Sequence, residues 1–235
     1  TLRADLYVSA PGTASNRTDG VLPADVPERL RALPGVAGLS KGRTVQTDGT
    51  AGPVLLLALE LGPLSHRGFD FNGPVLPDLW DGFAAGAVVL ASEPYAWRHR
   101  VGVGDVVTLH AADGPRAFRV GGVFRDYGTD RGMLVMDRAA YARAWRDDAV
   151  STVGVFLADP AGLDAALAAV RERLADGEQA VLVRANRAIR EQSLAIFDRT
   201  FAITGVLPLL AVGVAFIGVL SALMALQLER ARDHA

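Results

Sequence analysis

Residues that commonly carry catalysis or bind metals are few in this chain and are not grouped. No G-x-S-x-G turn surrounds Ser193, and no phosphate-binding loop surrounds the single lysine, Lys41, which lies in a predicted strand. The histidines show neither H-x-x-x-H nor H-E-x-x-H spacing and are typical of surface or structural positions. They are His66, His99, His110 and His234.

Two acidic pairs and one glycine turn could also support chemistry. Asp126 and Asp130 resemble part of a calcium loop, but the D-x-D-x-D-G spacing and the distal Glu are missing, which favours a plain turn. Asp147 and Asp148 form the second acidic pair that could be considered as metal ligands. The segment 101–105 contains G-x-G, but it follows a predicted helix and opens a strand, the reverse of a dinucleotide-binding turn. The sequence therefore predicts no catalytic residue, no metal and no cofactor, and we expect that the chain is not an enzyme.

Short strands and amphipathic helices must position any functional residues of the chain. In the outer parts, 1–50 and 150–183, a strand-helix-strand pattern occurs twice, whereas 51–149 is mainly β with short helices. Strands are predicted at 6–8, 36–47, 54–59, 87–91, 106–111, 116–124, 133–136, 152–157 and 181–183. Helices are predicted at 23–33, near Leu79, at 93–99 with Ser92 as cap, at 138–145 with Asp137 as cap, and at 160–174.

The aromatic-rich stretch 62–86 reads as an irregular excursion. Its side chains Phe69, Phe71, Trp80 and Phe83 could line an apolar groove or form a satellite core under a long loop, and the second arrangement is the more common one.

The segment from Phe201 to Leu226 contains no charged residue, although 21% of the chain is charged. As a helix, 26 residues extend roughly 39 Å, enough to cross a hydrocarbon core of about 30 Å. We therefore predict a transmembrane helix at 201–226, which Pro208 can kink. From Arg184 no helix breaker occurs before Pro208, so a stalk helix is predicted at 184–200 and a segment beyond the membrane at 227–235.

The composition of the chain limits which partners and which side-chain chemistry it can have. A net charge of −2 gives no reason to expect nucleic acid as a partner, and with no cysteine there is no disulfide or thiolate chemistry. Thr1 is not an initiator methionine and no signal-like apolar run follows it, so we expect a fragment or a processed product. Arginines flank both sides of the predicted span, so charge alone does not give its orientation.

The region from Val88 to Trp145 resembles the extracytoplasmic domain of FtsX-like/MacB-like ABC transporter permeases. In that family a strand and a short helix precede a V-G-D turn, a hairpin strand with f-x-V-x-G-V follows, and a later strand ends in M-D. The matching positions in this chain are Val101, Gly104, Asp105, Val120, Gly122, Val123, Met136 and Asp137.

A second match follows the predicted span. Leu228, Glu229, Arg230 and Arg232 match the L-E-R-R-R-E-I-A run that follows the second transmembrane helix of these permeases. Ala231, Asp233 and His234 depart from that run. The resemblance covers residues 85–235 through motifs and the first 85 residues through layout.

The resemblance implies a fold, an orientation and a set of partners. The fold is α+β: an extracytoplasmic head made of a small strand-helix-strand layer with a β-rich insert, followed by a long helix that becomes a transmembrane span. Residues 1–199 would lie outside the cytoplasmic membrane, and 227–235 would begin a cytoplasmic segment. The implied partners are the lipid bilayer, a cytoplasmic ATPase subunit that hydrolyses ATP, a second permease copy or homologous permease, and an extracytoplasmic cargo or adaptor protein.

An alternative from another class is a single-span, membrane-anchored binding or sensor domain without transport. Both functions use the same head and the same span. A permease would carry further membrane spans and work with an ATPase. A single-span sensor would have neither.

Overall fold

The computed structural model describes residues 4–10, 20–50, 52–62, 65–126, 131–175, 181–186, 212, 214–221 and 223–224. The chain forms two compact units, Thr1–Asn186 and Arg187–Ala235. The strands of the first unit are β1 (Leu6–Ser9), β2 (Val36–Gly49), β3 (Gly52–Leu59), β4 (Val88–Ser92), β5 (Val106–Ala111), β6 (Gly114–Phe124), β7 (Leu134–Asp137), β8 (Thr152–Leu157) and β9 (Leu182–Ala185). Its α-helices are α1 (Val26–Arg31), α2 (Leu79–Ala85), α3 (Glu93–His99), α4 (Arg138–Trp145) and α5 (Leu163–Ala175), and short 3₁₀ turns lie at Ser65–Gly68 and Pro160–Gly162.

The outer parts of the head form a four-stranded antiparallel sheet in the order β9–β1–β8–β2. Helices α1 and α5 each join two of its strands, which gives the β-α-β-β-α-β arrangement of ferredoxin-like folds. Helix α1 begins with Pro27 in its first turn and ends before Pro34 and Gly35, where a φ of +82° suits only glycine. The strand-helix-strand pattern predicted twice from the sequence is confirmed.

The middle of the chain forms a closed ring of strands. Strand β2 pairs with β3, and the ring continues through β7, β4, β6 and β5 back to β2, where Gly49 pairs with Leu109. Closure leaves no free edge among these strands, which removes a route to aggregation. Strand β2 belongs to both parts, because its first half pairs with β8 and its second half with β3.

Helices α3 and α4 cover opposite ends of this barrel. Strands β4 and β7 are antiparallel neighbours, and each leads directly into a helix, β4 into α3 and β7 into α4. Tyr95 and Ala96 of α3 and Ala140 and Tyr141 of α4 belong to the buried core of the barrel. The barrel is therefore filled by side chains and capped by one helix at each end.

The apolar core is divided along the chain. One cluster joins β1 and β8 to α1 and α5, a second fills the barrel, and a third packs α2 against β4 and β6. The first cluster uses residues from 6–30 and 153–174, and the second uses residues from 54–141. This separation supports the predicted division of the head into two parts, one formed by 1–50 and 150–183 and the other an insert at 51–149. The bounds of this division stay a prediction.

Two details differ from the sequence expectations. Ser92 occupies the N-cap position of α3, but its hydroxyl accepts a hydrogen bond from the Met133 N–H (2.8 Å), so it ties β4 to β7 instead of capping the helix. The stalk helix does not begin at Arg184, because Arg184 and Ala185 are in β9, where they pair with Tyr7 and Leu6. Backbone pairing with β1 outweighs the helical spacing read from the sequence.

The predicted span falls largely on residues that are not described, including Phe201, Pro208 and Leu226, and the post-span positions Leu228, Glu229, Arg230 and Arg232 also lie outside the described residues. The described residues between 212 and 224 are helical, and their large apolar side chains are 40–70% exposed. Within the part of the chain that the structure describes, no helix is both long enough and apolar enough to span a membrane.

Candidate functional site

The V-G-D turn connects α3 to β5 and is held by the Asp105 side chain and by backbone hydrogen bonds to Val120 of β6. The Gly102 N–H donates to the Asp105 carboxylate (2.7 Å), and the Gly104 N–H donates to the Val120 carbonyl (2.8 Å). Val120 returns a hydrogen bond from its N–H to the Asp105 carbonyl (2.8 Å). Gly104 has a φ of +94°, a conformation that residues with a Cβ rarely adopt. Sequence positions 101–105 and 120 are thus brought together.

The other family-motif positions lie on the neighbouring strands and are structural in character. Val123 and Gly122 lie on β6, and Met136 is fully buried in the barrel core. The Asp137 carboxylate caps α4 by accepting from the Ala140 N–H (2.8 Å), as predicted. Contacts of this kind shape the barrel and its ends. Their assignment as family-motif positions stays a prediction.

Position 122 has no room for a side chain because an aromatic ring lies against its backbone. A Cβ placed there would lie 2.7 Å from the ring of Phe71. We expect Gly122→Ala to lower the free energy of unfolding by about 1–3 kcal/mol, because the ring must shift out of a packed cluster. Urea denaturation at constant detergent measures this loss. Gly102→Ala is the matched control: its nearest neighbour would be 3.8 Å away, so a change beyond about 0.5 kcal/mol there contradicts the packing argument.

Three of the histidines and the aromatic excursion have structural surroundings, whereas His234 lies outside the described residues. His99 packs against Tyr95 with its ring tilted by 35° (4.3 Å between ring centroids), and His66 packs edge-on against Trp80 (4.6 Å). His110 contacts the Asp48 carbonyl through Nδ1 (3.2 Å). Phe69, Phe71, Trp80 and Phe83 form a satellite core with Phe124, so the second of the two arrangements weighed from the sequence is correct. Among the described residues no group of three metal-ligating side chains occurs.

The most connected polar cluster joins the barrel to the four-stranded sheet. The Arg43 guanidinium on β2 donates to the Asp147 carboxylate (2.9 Å) and to the Ser151 hydroxyl (3.0 Å). The Tyr141 hydroxyl of α4 donates to the same Asp147 oxygen (2.7 Å), and the Ala149 N–H donates to the other oxygen (2.9 Å). Asp147, considered from the sequence as a metal candidate, is instead an ion-pair and hydrogen-bond acceptor.

Arg138 organises the same junction from within α4. Its guanidinium, buried with 9% exposure, donates to the carbonyls of Asp147, Asp148 and Ala149 (3.2, 2.6 and 2.9 Å). One side chain thus holds three consecutive carbonyls of the segment that carries the chain from the barrel back to β8. Arg43, Arg138 and Tyr141 were not among the residues predicted from the sequence. No local pattern marks Arg43, which lies between Gly42 and Thr44 in a polar stretch of β2.

Burial and hydrogen bonding act in opposite directions on the junction carboxylate. Burial alone would raise the pKa of Asp147, but hydrogen bonds from Tyr141, Arg43 and the Ala149 N–H bring it below its ordinary value. Burial, together with the Asp147 hydrogen bond, raises the pKa of Tyr141, so its hydroxyl stays a donor at neutral pH. The junction is therefore assembled around an ionised Asp147.

Because the folded-state pKa of Asp147 is lowered, its contribution to stability is full above its unfolded pKa of about 3.9 and is lost as the pH falls through the folded pKa. We expect the stability difference between the wild type and Asp147→Asn to shrink steadily below about pH 4. Urea midpoints for both proteins at pH 7, 5 and 3 measure it. A difference that stays constant over this range would show that the charge of Asp147 contributes nothing.

A cleft of about 990 Å³ lies beside this junction, between the start of α1 and the outer face of α4. Its walls combine apolar residues with both signs of charge, among them Pro23, Lys41, Glu60, Arg143 and Asp148. The polar cluster holds the barrel and the four-stranded sheet together, and the cleft lies beside it.

Comparisons with known proteins agree with this architecture. No protein-family model matches the chain. In an alignment of 240 positions that covers 99% of this chain, it is 38% identical to the uncharacterized ABC transporter permease protein Rv0987 of Mycobacterium tuberculosis. The chain spans 28% of the length of that relative.

Two solved structures share the fold. The extracellular domain of the noncanonic ABC-type transporter YknZ from Gram-positive bacteria aligns with a TM-score of 0.51 and 13% identity, covering 77% of this chain and 100% of that one. The periplasmic region of MacB from Actinobacillus actinomycetemcomitans aligns with a TM-score of 0.54 and 12% identity, covering 80% and 91%. The chain is thus homologous to a segment of an ABC transporter permease, its α+β fold is that of the YknZ and MacB extracytoplasmic domains, and the resemblance stated from the sequence is confirmed.

Proposed function

We propose that the chain is the extracytoplasmic head and second transmembrane span of an FtsX/MacB-type permease. The permease couples ATP hydrolysis in a separate ATPase subunit to movement of the head. That movement serves export, extraction of lipid or lipoprotein, or mechanotransmission. The observation that carries this proposal is the 38% identity to an ABC transporter permease along 99% of the chain.

The membrane placement has separate support. The segment 201–226 has no charge, and the large apolar side chains described at 212–224 are exposed, including Phe216, Ile217 and Leu223 at 65%, 66% and 56%. A helix that is apolar around its circumference needs an apolar environment. In the proposal this environment is the cytoplasmic membrane, with residues 1–199 on its outer side and 227–235 entering the cytoplasm.

The permease works as a dimer in this proposal, with a second copy or a homologous permease as partner. Catalysis belongs to the ATPase subunit, and this chain supplies no catalytic group. The head transmits motion from the predicted helix that follows Asn186, and its cargo or adaptor binds on the outer side.

The lever can be tested by interrupting the predicted stalk. A Gly-Gly pair at Ala195 and Ile196 weakens a helix by about 1 kcal/mol per residue and breaks its stiffness. The full-length permease is reconstituted with its ATPase, and a spin label is placed on an introduced cysteine at Arg116, the only cysteine in this chain. We expect ATP to change the label-to-label distance between copies in the wild type but not in the Gly-Gly variant.

Ile196→Ala is the control, because it removes the same side chain but keeps helix propensity. An ATP-driven distance change that persists in the Gly-Gly variant overturns the lever. Failure of the full-length protein to assemble with any ATPase overturns the permease itself and favours a single-span sensor.

A further inference from the structure

The outer face of α3 presents an unusually exposed aromatic residue. Trp97 is 84% exposed, whereas its neighbours Tyr95 and Ala96 are buried in the barrel core. Val106, which opens β5 after the V-G-D turn, is 62% exposed. These are the two most exposed large apolar side chains among the described residues of the head. Exposed tryptophan is typical of the residues that dominate protein interfaces.

Two arginines accompany Trp97. Arg98 and Arg100 are exposed, and neither has an ion-pair partner among the residues that the structure describes. Two acids close to these arginines in the sequence make other hydrogen bonds: the Glu93 carboxylate accepts from the Asn72 amide, and the Asp105 carboxylate accepts from the Gly102 N–H. The positive charge of this face is therefore available to a partner.

Arg100 also has an unfavourable backbone conformation. It ends α3 with a φ of +53°, where glycine is the preferred residue and a side chain costs about 1 kcal/mol. Arg146 ends α4 with nearly the same φ of +55°, but its guanidinium is paired with Asp113 (2.7 Å). At Arg146 the strained backbone occurs together with an ion pair inside the head. At Arg100 the same strain occurs without an ion pair to any described residue. An external role for the Arg100 side chain accounts for this difference.

The position of this face indicates what covers it. The chain enters and leaves the head side by side, where the Asn186 N–H donates to the Asp5 carbonyl (2.9 Å). These residues lie at one end of the four-stranded sheet, and the barrel begins at the other end, after Gly42. Within the barrel, β4 runs away from that sheet, because it is antiparallel to β7, whose last residue pairs with Leu59 near the junction. Helix α3 therefore lies at the opposite end of the head from the point at which the chain leaves it.

We propose that Trp97, Arg98, Arg100 and Val106, which we call the α3 face, bind an acidic amphipathic segment of a partner protein. An apolar pocket on the partner receives Trp97, and its carboxylates pair with the two arginines. The distance of this face from the chain exit favours a protein over the bilayer as the occupant. The preference rests on the proposed function, in which the chain exit leads to the membrane.

The direct test measures binding of a defined probe to the full chain in nanodiscs of zwitterionic lipid. The probe is a fluorescent helical peptide with Glu on its polar face and Leu at i, i+3, i+4 and i+7. A second peptide has every Glu replaced by Lys. We expect anisotropy to show at least tenfold tighter binding of the acidic peptide. We also expect Trp97→Ala and the Arg98→Glu/Arg100→Glu double variant each to weaken that binding at least tenfold.

The matched pair Arg100→Gly and Arg146→Gly separates recognition from backbone strain. Arg100→Gly should raise the Tm and weaken peptide binding, whereas Arg146→Gly should leave binding unchanged. Equal affinity for the two peptides, or binding unaffected by Trp97→Ala, overturns the proposal. So does Trp97-dependent binding to vesicles of anionic phosphatidylglycerol instead of to the peptide. The assay needs no ATPase, so its failure is distinguishable from failure of the permease function.

Discussion

Replacing Arg138 by Met is expected to lower the free energy of unfolding by about 3–5 kcal/mol. The Arg138 residue is 9% exposed, and its guanidinium donates hydrogen bonds to the three carbonyls at 147–149, which would then lose these donors. Met keeps most of the volume, so the loss comes from the missing donors rather than from a cavity. Urea denaturation, followed by tryptophan fluorescence at constant detergent, measures the change.

Arg143→Ala is the control for this experiment. Arg143 lies on the same helix and lines the neighbouring cleft, but it is exposed and makes no hydrogen bond or ion pair with the described residues. Its replacement should change stability by less than about 0.5 kcal/mol. If both variants lose equal stability, helix propensity or net charge explains the loss and the carbonyl clamp does not.

Asp147→Asn is expected to lower the free energy of unfolding by about 2–3 kcal/mol at pH 7. It removes the charge facing Arg43, whose side chain is 13% exposed, and weakens the acceptor that Tyr141 uses. The loss should be smaller than for Arg138 because the Asp147 side chain is 26% exposed and water screens part of the interaction. Denaturation curves at pH 7 measure it.

Asp113→Asn gives the comparison with an exposed ion pair. Asp113 lies close to both Arg116 and Arg146, yet its side chain is 47% exposed. We expect a loss of about 0–1 kcal/mol there. A loss of stability at Asp113 equal to that at Asp147 would show that burial does not set the strength of these ion pairs.

Most secondary structure of the head could be predicted because its signals are local. A short continuous apolar run marked β3, the Asp113–Gly114 turn marked the β5–β6 hairpin, and Asp137 marked the start of α4. For the phenylalanines and tryptophan of 69–83 the sequence left an apolar groove and a satellite core open and favoured the satellite core, which the structure shows. Closure of the barrel could not be predicted, because it depends on pairings such as Leu56 with Leu134 that no local pattern encodes.

The junction could not be predicted for the same reason. Arg43 and Asp147 are 104 residues apart, and an arginine in a strand pattern is normally read as exposed. Only the three-dimensional fold shows that both lie against Tyr141. At Arg184 the error had the opposite cause: a helical spacing was correctly noted, but the free edge of β1 captured that segment as a strand.

The pairing of Gly42 with Thr152 has a consequence for how this fold can vary in length. These two residues are neighbours on adjacent antiparallel strands, so the whole barrel enters and leaves the four-stranded sheet at a single point. In topological terms, the barrel is an expanded hairpin loop. Lengthening, shortening or exchanging it leaves every pairing among β9, β1, β8 and the first half of β2 in register, so the barrel can diversify while the four-stranded sheet stays constant.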